Sequence, residues 1–184
     1  MSVAYLVAIG SVPPQVLHWV ENTLSEWSPW PVQRLPAMAF PEGAYDTSRG
    51  QYKSVDLMKL LARSAPPAAA RMIGVTEGDL AIPTLTFVFG QAQLDGPVAI
   101  VSLARLRQEF YGLPADEAAL HERVTKEVLH ELGHTFGLTH CAQTKCVMSL
   151  ATHIGLVDSK EGRYCTQCGE QVARKISSPD RGTL

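Results

Sequence analysis

The spacing of apolar residues along the chain predicts an alternation of strands and helices. Short unbroken apolar runs are typical of buried strands, whereas apolar residues three and four positions apart are typical of one helix face. The Pro13-Pro14 pair suits the start of a helix, and Ser54 suits the cap of another. The strands predicted in this way are 3–9, 32–38 and 71–75, and the helices are 13–27 and 55–63.

Two further strands, 84–89 and 98–103, lie close together in the sequence. The connection between them is too short for a helical crossover, so we expect this pair to be antiparallel. The earlier strands are separated by helices and should be parallel. The predicted fold is therefore α/β (α+β), with a mixed five-stranded sheet. Polar and apolar residues alternate at the start of 84–89, which suits an edge strand with one solvated face.

Three other segments complete the expected chain. Residues 40–50 are polar and rich in turn formers, which indicates a surface loop. Ala115-Asp116-Glu117 opens the longest predicted helix, and an acidic first turn is favourable at a helix N-terminus. The final segment, 177–184, has the composition of a polar tail.

Composition and charge limit the class of protein. The chain has 184 residues, 46% hydrophobic and 18% charged, which fits one globular domain with a small appended subdomain. A net charge of −2 argues against nucleic acid as an obligatory partner. The first apolar run is short and follows no basic residue, so we interpret it as a strand and not as a signal peptide. No run is long enough to span a membrane, and we expect a cytoplasmic protein.

The longest helix carries the clearest chemical signal, His130-Glu131-Leu132-Gly133-His134. Two histidines four positions apart on a helix are separated by about 6 Å along the axis and about 40° around it, so both imidazoles leave one face. They can hold two corners of a zinc tetrahedron. Glu131 lies about 100° further round, where it can accept a proton from a zinc-activated water.

A third histidine completes the predicted metal site. Gly137 can adopt the left-handed conformation that ends a helix, and the chain can then return His140 to the same metal. Three imidazoles leave the fourth zinc position open, which is typical of a catalytic zinc. The alternative is an ordinary helix with a chance HExxH, and the glycine and third histidine at fixed offsets argue against it.

The cysteines of the chain all follow this motif. Their C-x4-C and C-x2-C spacings suit a closed structural zinc site. Cys141 can face away from the metal held by His140, because neighbouring side chains in an extended segment point to opposite sides. Two disulfides would use the same residues, and the lack of a secretory signal disfavours them. The four positions are Cys141, Cys146, Cys165 and Cys168.

The combined pattern HExxHxxGxxHC-x4-CxM, followed by CxxC, closely resembles the archaemetzincin family of zinc metallopeptidases. The resemblance implies a metzincin-like zincin fold, with backing and active-site helices, an upper subdomain at 1–137 and a lower, zinc-stapled subdomain at 138–184. It also implies that Met148 forms a packing turn beneath the metal, and that the edge strand 84–89 binds extended peptide antiparallel to itself. Arg49-Gly50-Gln51-Tyr52 and Phe87-Val88-Phe89-Gly90 look similar to the family, but we assign no chemistry to them.

The residues and the resemblance together predict a zinc metallopeptidase with two zinc ions, one catalytic and one structural. Its substrate is a peptide or protein, and Glu131 is the expected general base. The alternative is a catalytically idle, zinc-stabilised binding module, which would not need a carboxylate at Glu131. Some metzincins use a tyrosine after the methionine turn to support the oxyanion, and Tyr164 is the only downstream tyrosine here.

Overall fold

The centre of the computed structural model, which describes residues 2–177, is a mixed five-stranded sheet. The strands, in chain order, are β1 (Val3–Ile9), β2 (Val32–Arg34), β3 (Tyr45–Asp46), β4 (Gln51–Lys53), β5 (Ala69–Thr76), β6 (Leu80–Ile82), β7 (Leu85–Val88), β8 (Gly90–Ala92) and β9 (Val98–Ser102). The central sheet has the order β2-β1-β5-β9-β8, and only β8 is antiparallel to its neighbour. This confirms the predicted fold class.

Helices cover both faces of this sheet and divide the apolar core in two. The helices are α1 (Pro14–Trp27), α2 (Ser54–Ser64), α3 (Glu117–Thr135), α4 (Ile154–Ser159) and α5 (Thr166–Ser177), with a 3-10 turn at Gln108–Tyr111. On one face α1 and α3 share a core with Leu6 and Ala8 of β1, and on the other α2 shares a core with Val7 and Ile9. β1 is buried throughout because its side chains alternate between these two apolar layers.

The longest helix, α3, has a defined start and a defined end. The Asp116 carboxylate accepts a hydrogen bond from the Ala119 N–H at 2.9 Å, which caps the first turn. At the other end Gly137 has φ +86°, the left-handed conformation predicted for it. The chain therefore leaves the helix sharply, immediately after the two histidines of the motif.

Arg71 of β5 holds the C-terminal end of α3. Its guanidinium carbon lies 4.8 Å from the ring centroids of both Trp30 and Phe136, and it donates hydrogen bonds to the hydroxyl and carbonyl of Thr135. Burial lowers the pKa of Arg71 to about 10, so the side chain is charged at neutral pH. A cation at this position also complements the helix dipole.

A second sheet, which the sequence did not predict, lies beside the first. It has four strands in the order β3-β4-β6-β7. β3 falls within 40–50, where we predicted a surface loop, and β4 follows it directly. These strands are two and three residues long, which is too short to show a periodic pattern of apolar residues.

The predicted strand 84–89 is wrong as a single element. Leu85–Val88 pairs with β6 in the second sheet, whereas the antiparallel partner of β9 is Gly90–Ala92. The chain passes from one sheet to the other at Phe89, whose side chain is buried in the core. A run of β-forming residues gives no sign of such a change of partner, because each half satisfies the same pattern.

Three smaller expectations are corrected or fall outside the structure. Ser54 is the first residue of α2 and not its cap, and its hydroxyl hydrogen-bonds to Gln91 of β8. The predicted strand 32–38 ends at Arg34, and Met38 forms only an isolated bridge with Ile9. Of the predicted tail, residues 178–184 lie outside the described residues.

Within residues 2–177, no helix has the length and apolar character needed to cross a bilayer.

The segment after Gly137 packs against α1 and α3. Its buried apolar side chains belong to the same core as those two helices, and they include Leu138, Val147, Met148, Val157 and Val172. The Arg123 guanidinium of α3 also forms two hydrogen bonds to the Asp158 carboxylate of α4, at 2.7 and 2.8 Å. The segment is thereby attached to the helix that carries the histidines.

Candidate metal centres and active-site cleft

Three imidazoles converge at the C-terminal end of α3. One ring nitrogen from each of His130, His134 and His140 lies within 4.8 Å of the other two. The first two leave one face of the helix, as their spacing predicted, and the turn at Gly137 brings the third back to them. The ring centroids are 4.7 to 5.3 Å apart.

Backbone carbonyls fix the orientation of two of these rings. Nδ1 of His130 lies 2.8 Å from the Val147 carbonyl, and Nδ1 of His134 lies 2.6 Å from the Leu138 carbonyl, so both Nδ1 atoms carry the proton. The two Nε2 lone pairs then face each other at 3.1 Å, which is repulsive unless a cation lies between them. Zinc–nitrogen bonds of about 2.0–2.1 Å bring two ligand atoms to about this separation, so the residues fit zinc.

The protonation state of the rings also fits a metal. Burial lowers the pKa of His130, His134 and His140, and in each case it is the largest cause of the shift. The imidazoles are therefore neutral at pH 7, which is the form that binds zinc.

The Glu131 side chain is buried between α3 and the edge strand β8. A Cβ atom on Gly90 would lie 2.6 Å from Glu131 Oε1, so β8 can approach this closely only because residue 90 has no side chain. Burial, and after it the charge of Glu127, raises the pKa of Glu131 well above its usual range. Among the described residues Glu131 Oε2 has no hydrogen-bond partner, which leaves it available to water or substrate.

A buried ion pair that the sequence analysis missed lies beside Glu131. Lys160 Nζ is 2.9 Å from Glu127 Oε1, and both side chains are almost completely buried. The two atoms are close enough for an ion pair, but their angles are unfavourable for a hydrogen bond, and neither has another partner within residues 2–177. Glu127 lies one helical turn before Glu131, so the two side chains share a helix face. This spacing is the only feature of the sequence that indicates a role for Glu127.

Met148 and Tyr164 pack against α3. Met148 is fully buried, and a side chain at Gly133, between the two helix histidines, would collide with its sulfur. The Tyr164 hydroxyl donates to the Leu129 carbonyl at 2.7 Å, and burial raises its pKa. Tyr164 therefore faces the helix, and no tyrosine is among the described residues that line the cleft.

The four cysteines also converge on one point. They are free thiols, and Cys141, Cys146, Cys165 and Cys168 each place Sγ within 4.8 Å of the others. Cys141 Sγ and Cys165 Sγ are 3.9 Å apart, much longer than a disulfide and close to the separation of two sulfurs on one zinc, whose Zn–S bonds are about 2.3 Å. The Cys165 N–H also points at Cys146 Sγ, at 3.3 Å. The residues fit a closed zinc site with four thiolate ligands.

A cleft of about 510 Å³ runs along β7 and β8 and past the histidines. Apart from the histidines and the three charged side chains Glu127, Glu131 and Lys160, its described lining residues are mostly apolar, and the polar ones are Thr86, Gln91, Thr139 and Thr152. One wall comes from both sheets, and the opposite wall comes from the segment after Met148. The wall residues include Ile82, Leu85 to Ala92, Leu94 and Leu150 to Thr152.

The Arg49-to-Tyr52 stretch fixes the wall formed by β6 and β7. The Arg49 guanidinium donates to the carbonyls of Ile82, Leu85 and Thr86, and its Nε donates to the Gln51 side chain at 3.0 Å. The Gln51 amide in turn donates to the Thr86 carbonyl at 2.9 Å. A positioning role for this stretch was not visible in the sequence, because its partners lie more than 30 residues away.

Two histidines and a glutamate lie on one helix, and a third histidine joins them at an open cleft. This arrangement is typical of a zinc metallopeptidase. The family model for peptidase family M54 matches residues 37–174. An archaemetzincin from Methanocaldococcus jannaschii is 42% identical over 160 residues, which cover 87% of each chain.

Solved structures agree with the sequence comparison. The crystal structure of an archaemetzincin from Methanopyrus kandleri matches with a TM-score of 0.85 at 38% identity, covering 96% of both chains. A zinc-dependent peptidase from Methanocorpusculum labreanum matches with a TM-score of 0.78 at 32% identity, covering 93% of this chain and all of the other. The chain belongs to peptidase family M54, the archaemetzincins, and is accordingly a zinc metallopeptidase.

Proposed function

We propose that peptide hydrolysis takes place at the histidine cluster, with His130, His134 and His140 as the ligands of a catalytic zinc and Glu131 as the general base. The observation that carries this proposal is the Glu131 carboxylate, which is buried in the cleft beside the three imidazoles and whose Oε2 atom has no hydrogen-bond partner among the described residues. A structural helix would not leave a carboxylate oxygen buried and unpaired, because the desolvation is costly.

The residues of the chain divide the chemistry between them. When bound, zinc supplies a Lewis acid that polarises the scissile carbonyl and makes water a better nucleophile near neutral pH. Glu131 Oε2 accepts the proton of the attacking water and then delivers it to the leaving amine. Burial raises the pKa of Glu131, which makes its carboxylate a stronger base toward the proton of the attacking water.

A second zinc is proposed at the four cysteines, with a structural role. Cys165 and Cys168 lie at the start of α5, while Cys141 directly follows His140, so one ion joins α5 to the loop that carries the third histidine. The proposed cofactors are therefore two zinc ions, one catalytic and one structural. Four free thiols favour a reducing compartment, which supports a cytoplasmic location.

The substrate is proposed to bind along β8, which replaces 84–89 as the peptide-binding edge strand. In the β8–β9 ladder Gln93 N–H donates to Val98 and Ser102 N–H donates to Phe89, so odd-numbered residues of the edge face β9. Gly90 and Ala92 then direct their N–H and C=O groups away from β9, along the cleft. An extended peptide antiparallel to β8 can pair with them while its scissile bond lies near Glu131.

The metzincin-like division into an upper part, 1–137, and a lower part, 138–184, is also part of this proposal. Within residues 2–177, the core between the sheet and α2 consists of residues before Gly137, which supports an upper unit. Met148 beneath the helix histidines supports a metzincin-type methionine turn. The cleft is lined both by β8, from the part before Gly137, and by residues 150–152, from the part after it, which supports this division.

The test is peptide hydrolysis by the zinc-loaded protein and by Glu131→Ala. Loss of the base should reduce kcat by about 10²–10⁴-fold, while elemental analysis finds unchanged zinc. Glu122→Ala is a matched control, because Glu122 is an exposed glutamate on the same helix. Unchanged hydrolysis in Glu131→Ala would refute the catalytic assignment. A parent protein that binds peptides without cleaving them would favour the idle binding module, which none of the comparisons supports.

A further inference from the structure

The rim of the cleft carries exposed leucines from separate parts of the chain. Leu85 of β7 is 54% exposed, Leu94 after β8 is 59% exposed, and Leu150 on the opposite wall is 55% exposed. All three line the cleft that contains the histidines and Glu131. Leucines this exposed are more informative when they surround one cleft than when they are scattered singly over a surface.

Among the described residues that line the cleft, no charged side chain is exposed. The charged residues in the described cleft lining are Glu127, Glu131 and Lys160, and all three are buried. A charged substrate side chain would find no exposed charge among these lining residues and would lose water on entering the cleft. An apolar side chain would instead cover leucine side chains that now face water.

The contacts of Leu94 and Leu85 place them at opposite ends of the edge strand. Leu94 follows β8, next to Asp95, whose N–H donates to the His134 carbonyl at 2.9 Å. Leu85 precedes β8, in the hairpin that Arg49 holds. A peptide antiparallel to β8 therefore passes Leu94 with the residues before its scissile bond, and Leu85 with the residues after it.

We infer that this peptidase selects bulky apolar side chains on both sides of the scissile bond, with Leu94 selecting on the N-terminal side and Leu85 on the C-terminal side. The inference rests on the proposed function, because it uses the proposed path of the substrate along β8. Selection comes from the apolar contact itself and from the cost of bringing an unpartnered charge to the rim. Leu150 contributes apolar surface from the opposite wall.

The first experiment maps cleavage sites in a library of peptides digested by the zinc-loaded protein. The parent should favour leucine, phenylalanine or methionine over acidic residues on both sides of the cleaved bond, by about 10-fold in kcat/KM. Leu94→Lys should move the preference toward acidic residues on the N-terminal side only, and Leu85→Lys on the C-terminal side only. Leu113→Lys is the control, since Leu113 is 55% exposed and lies outside the cleft lining.

A second measurement separates this inference from catalysis. Fluorescence anisotropy of labelled leucine-rich and glutamate-rich peptides with zinc-loaded Glu131→Ala reports binding without turnover. The leucine-rich peptide should bind about 10-fold more tightly, and Leu94→Lys in that background should remove the difference. Selective binding without any cleavage by the parent would refute the catalytic role and uphold the selectivity. Cleavage or binding with equal preference for charged residues, or the same shift in Leu113→Lys, would refute the inference.

Discussion

The histidine cluster and the cysteine cluster differ in how the chain builds them. Two of the histidines come from one long helix, and their site opens on a cleft. The cysteines come from a loop and from the start of α5, and their sulfurs surround one point. A rigid element with one side open suits reaction with a substrate, whereas a closed set of thiols drawn from separate segments suits a cross-link.

The two clusters are nevertheless joined by one peptide bond, between His140 and Cys141. The Cys141 N–H also donates to the Met148 carbonyl at 2.9 Å, and Met148 packs beneath the helix histidines. A change at the closed cluster should therefore reach the open one through the backbone of residues 140–148. We therefore expect the proposed catalytic site to depend on a cross-link whose residues are not among the described residues that line the cleft.

The largest effect is expected from Gly90→Ala, which acts on the open site alone. The new methyl group would lie 2.6 Å from Glu131 Oε1 and displace either the carboxylate or the edge strand. A displacement of this kind should lower kcat by about 100-fold. The measurement is steady-state hydrolysis together with elemental analysis, and the zinc content should remain unchanged.

Gly162→Ala is the control for that substitution. Its new Cβ would meet its nearest neighbour at 3.9 Å, which is ordinary contact, so activity should be unaffected. If Gly90→Ala retains full activity, the close packing of β8 on Glu131 does not position the base.

A smaller effect, acting from the closed site on the open one, is expected from Cys165→Ser. Loss of one thiol should loosen the segment after Gly137. It should also weaken zinc binding at the histidines by about 10-fold, which is the usual effect of removing residues that orient metal ligands. The core between the sheet and α2 contains none of the described residues after Gly137 and should persist. Zinc titration and limited proteolysis measure the two effects, with Thr166→Ser as the control.

Parent-like zinc affinity at the histidines in Cys165→Ser, with unchanged proteolysis after Gly137, would show that the two clusters are independent.

Chelation should distinguish the two proposed zinc ions. A chelator such as phenanthroline should remove the histidine-held zinc first, because that site has an open position, and hydrolysis should stop at that point. Elemental analysis during the titration should fall from two zinc ions to one. Intact protein with a single zinc and two disulfides by mass would contradict the cysteine site.

The smallest effect is a difference in proton release on zinc loading at pH 7. Burial lowers the pKa of the three histidines, so they are already neutral in the folded, metal-free protein and release few protons. Burial raises the pKa of the Cys146 and Cys168 thiols, so these are protonated at pH 7 and must lose their protons to bind zinc. Calorimetry in buffers of different ionisation enthalpy measures both steps. Equal release at both clusters would contradict this difference.

Helices α1, α2 and α3 and the convergence of the ligands were accessible from the sequence because they depend on local spacing, whereas α4 and α5 were not predicted. Helical periodicity gave α1 almost to the residue, and the four-residue spacing put His130 and His134 on one face. The clustering of the four thiols followed from C-x4-C and C-x2-C. Family membership and the metallopeptidase activity are confirmed by the comparisons, whereas the role of each site residue stays a prediction.

The parts that sequence reasoning missed depend on contacts between distant residues. β8 contains Gly90, Gln91 and Ala92, a composition that does not favour a strand. These residues form a strand because they pair with β9 and lie against α3. The Glu127–Lys160 ion pair joins residues that no motif connects. The roles of Arg49 and Gln51 likewise depend on a hairpin more than 30 residues away.

The carbonyls of Leu138 and Val147, which orient the two helix histidines, have a consequence for the order in which the chain matures. During synthesis the N-terminal part leaves the ribosome first, so the HExxH helix emerges before either carbonyl. Until residue 138 has emerged, no carbonyl fixes the tautomer of His134, and until residue 147 has emerged, none fixes that of His130. The proposed zinc site is therefore complete only after residue 147 has left the ribosome, and a nascent chain stalled shortly before that holds the HExxH motif without the site.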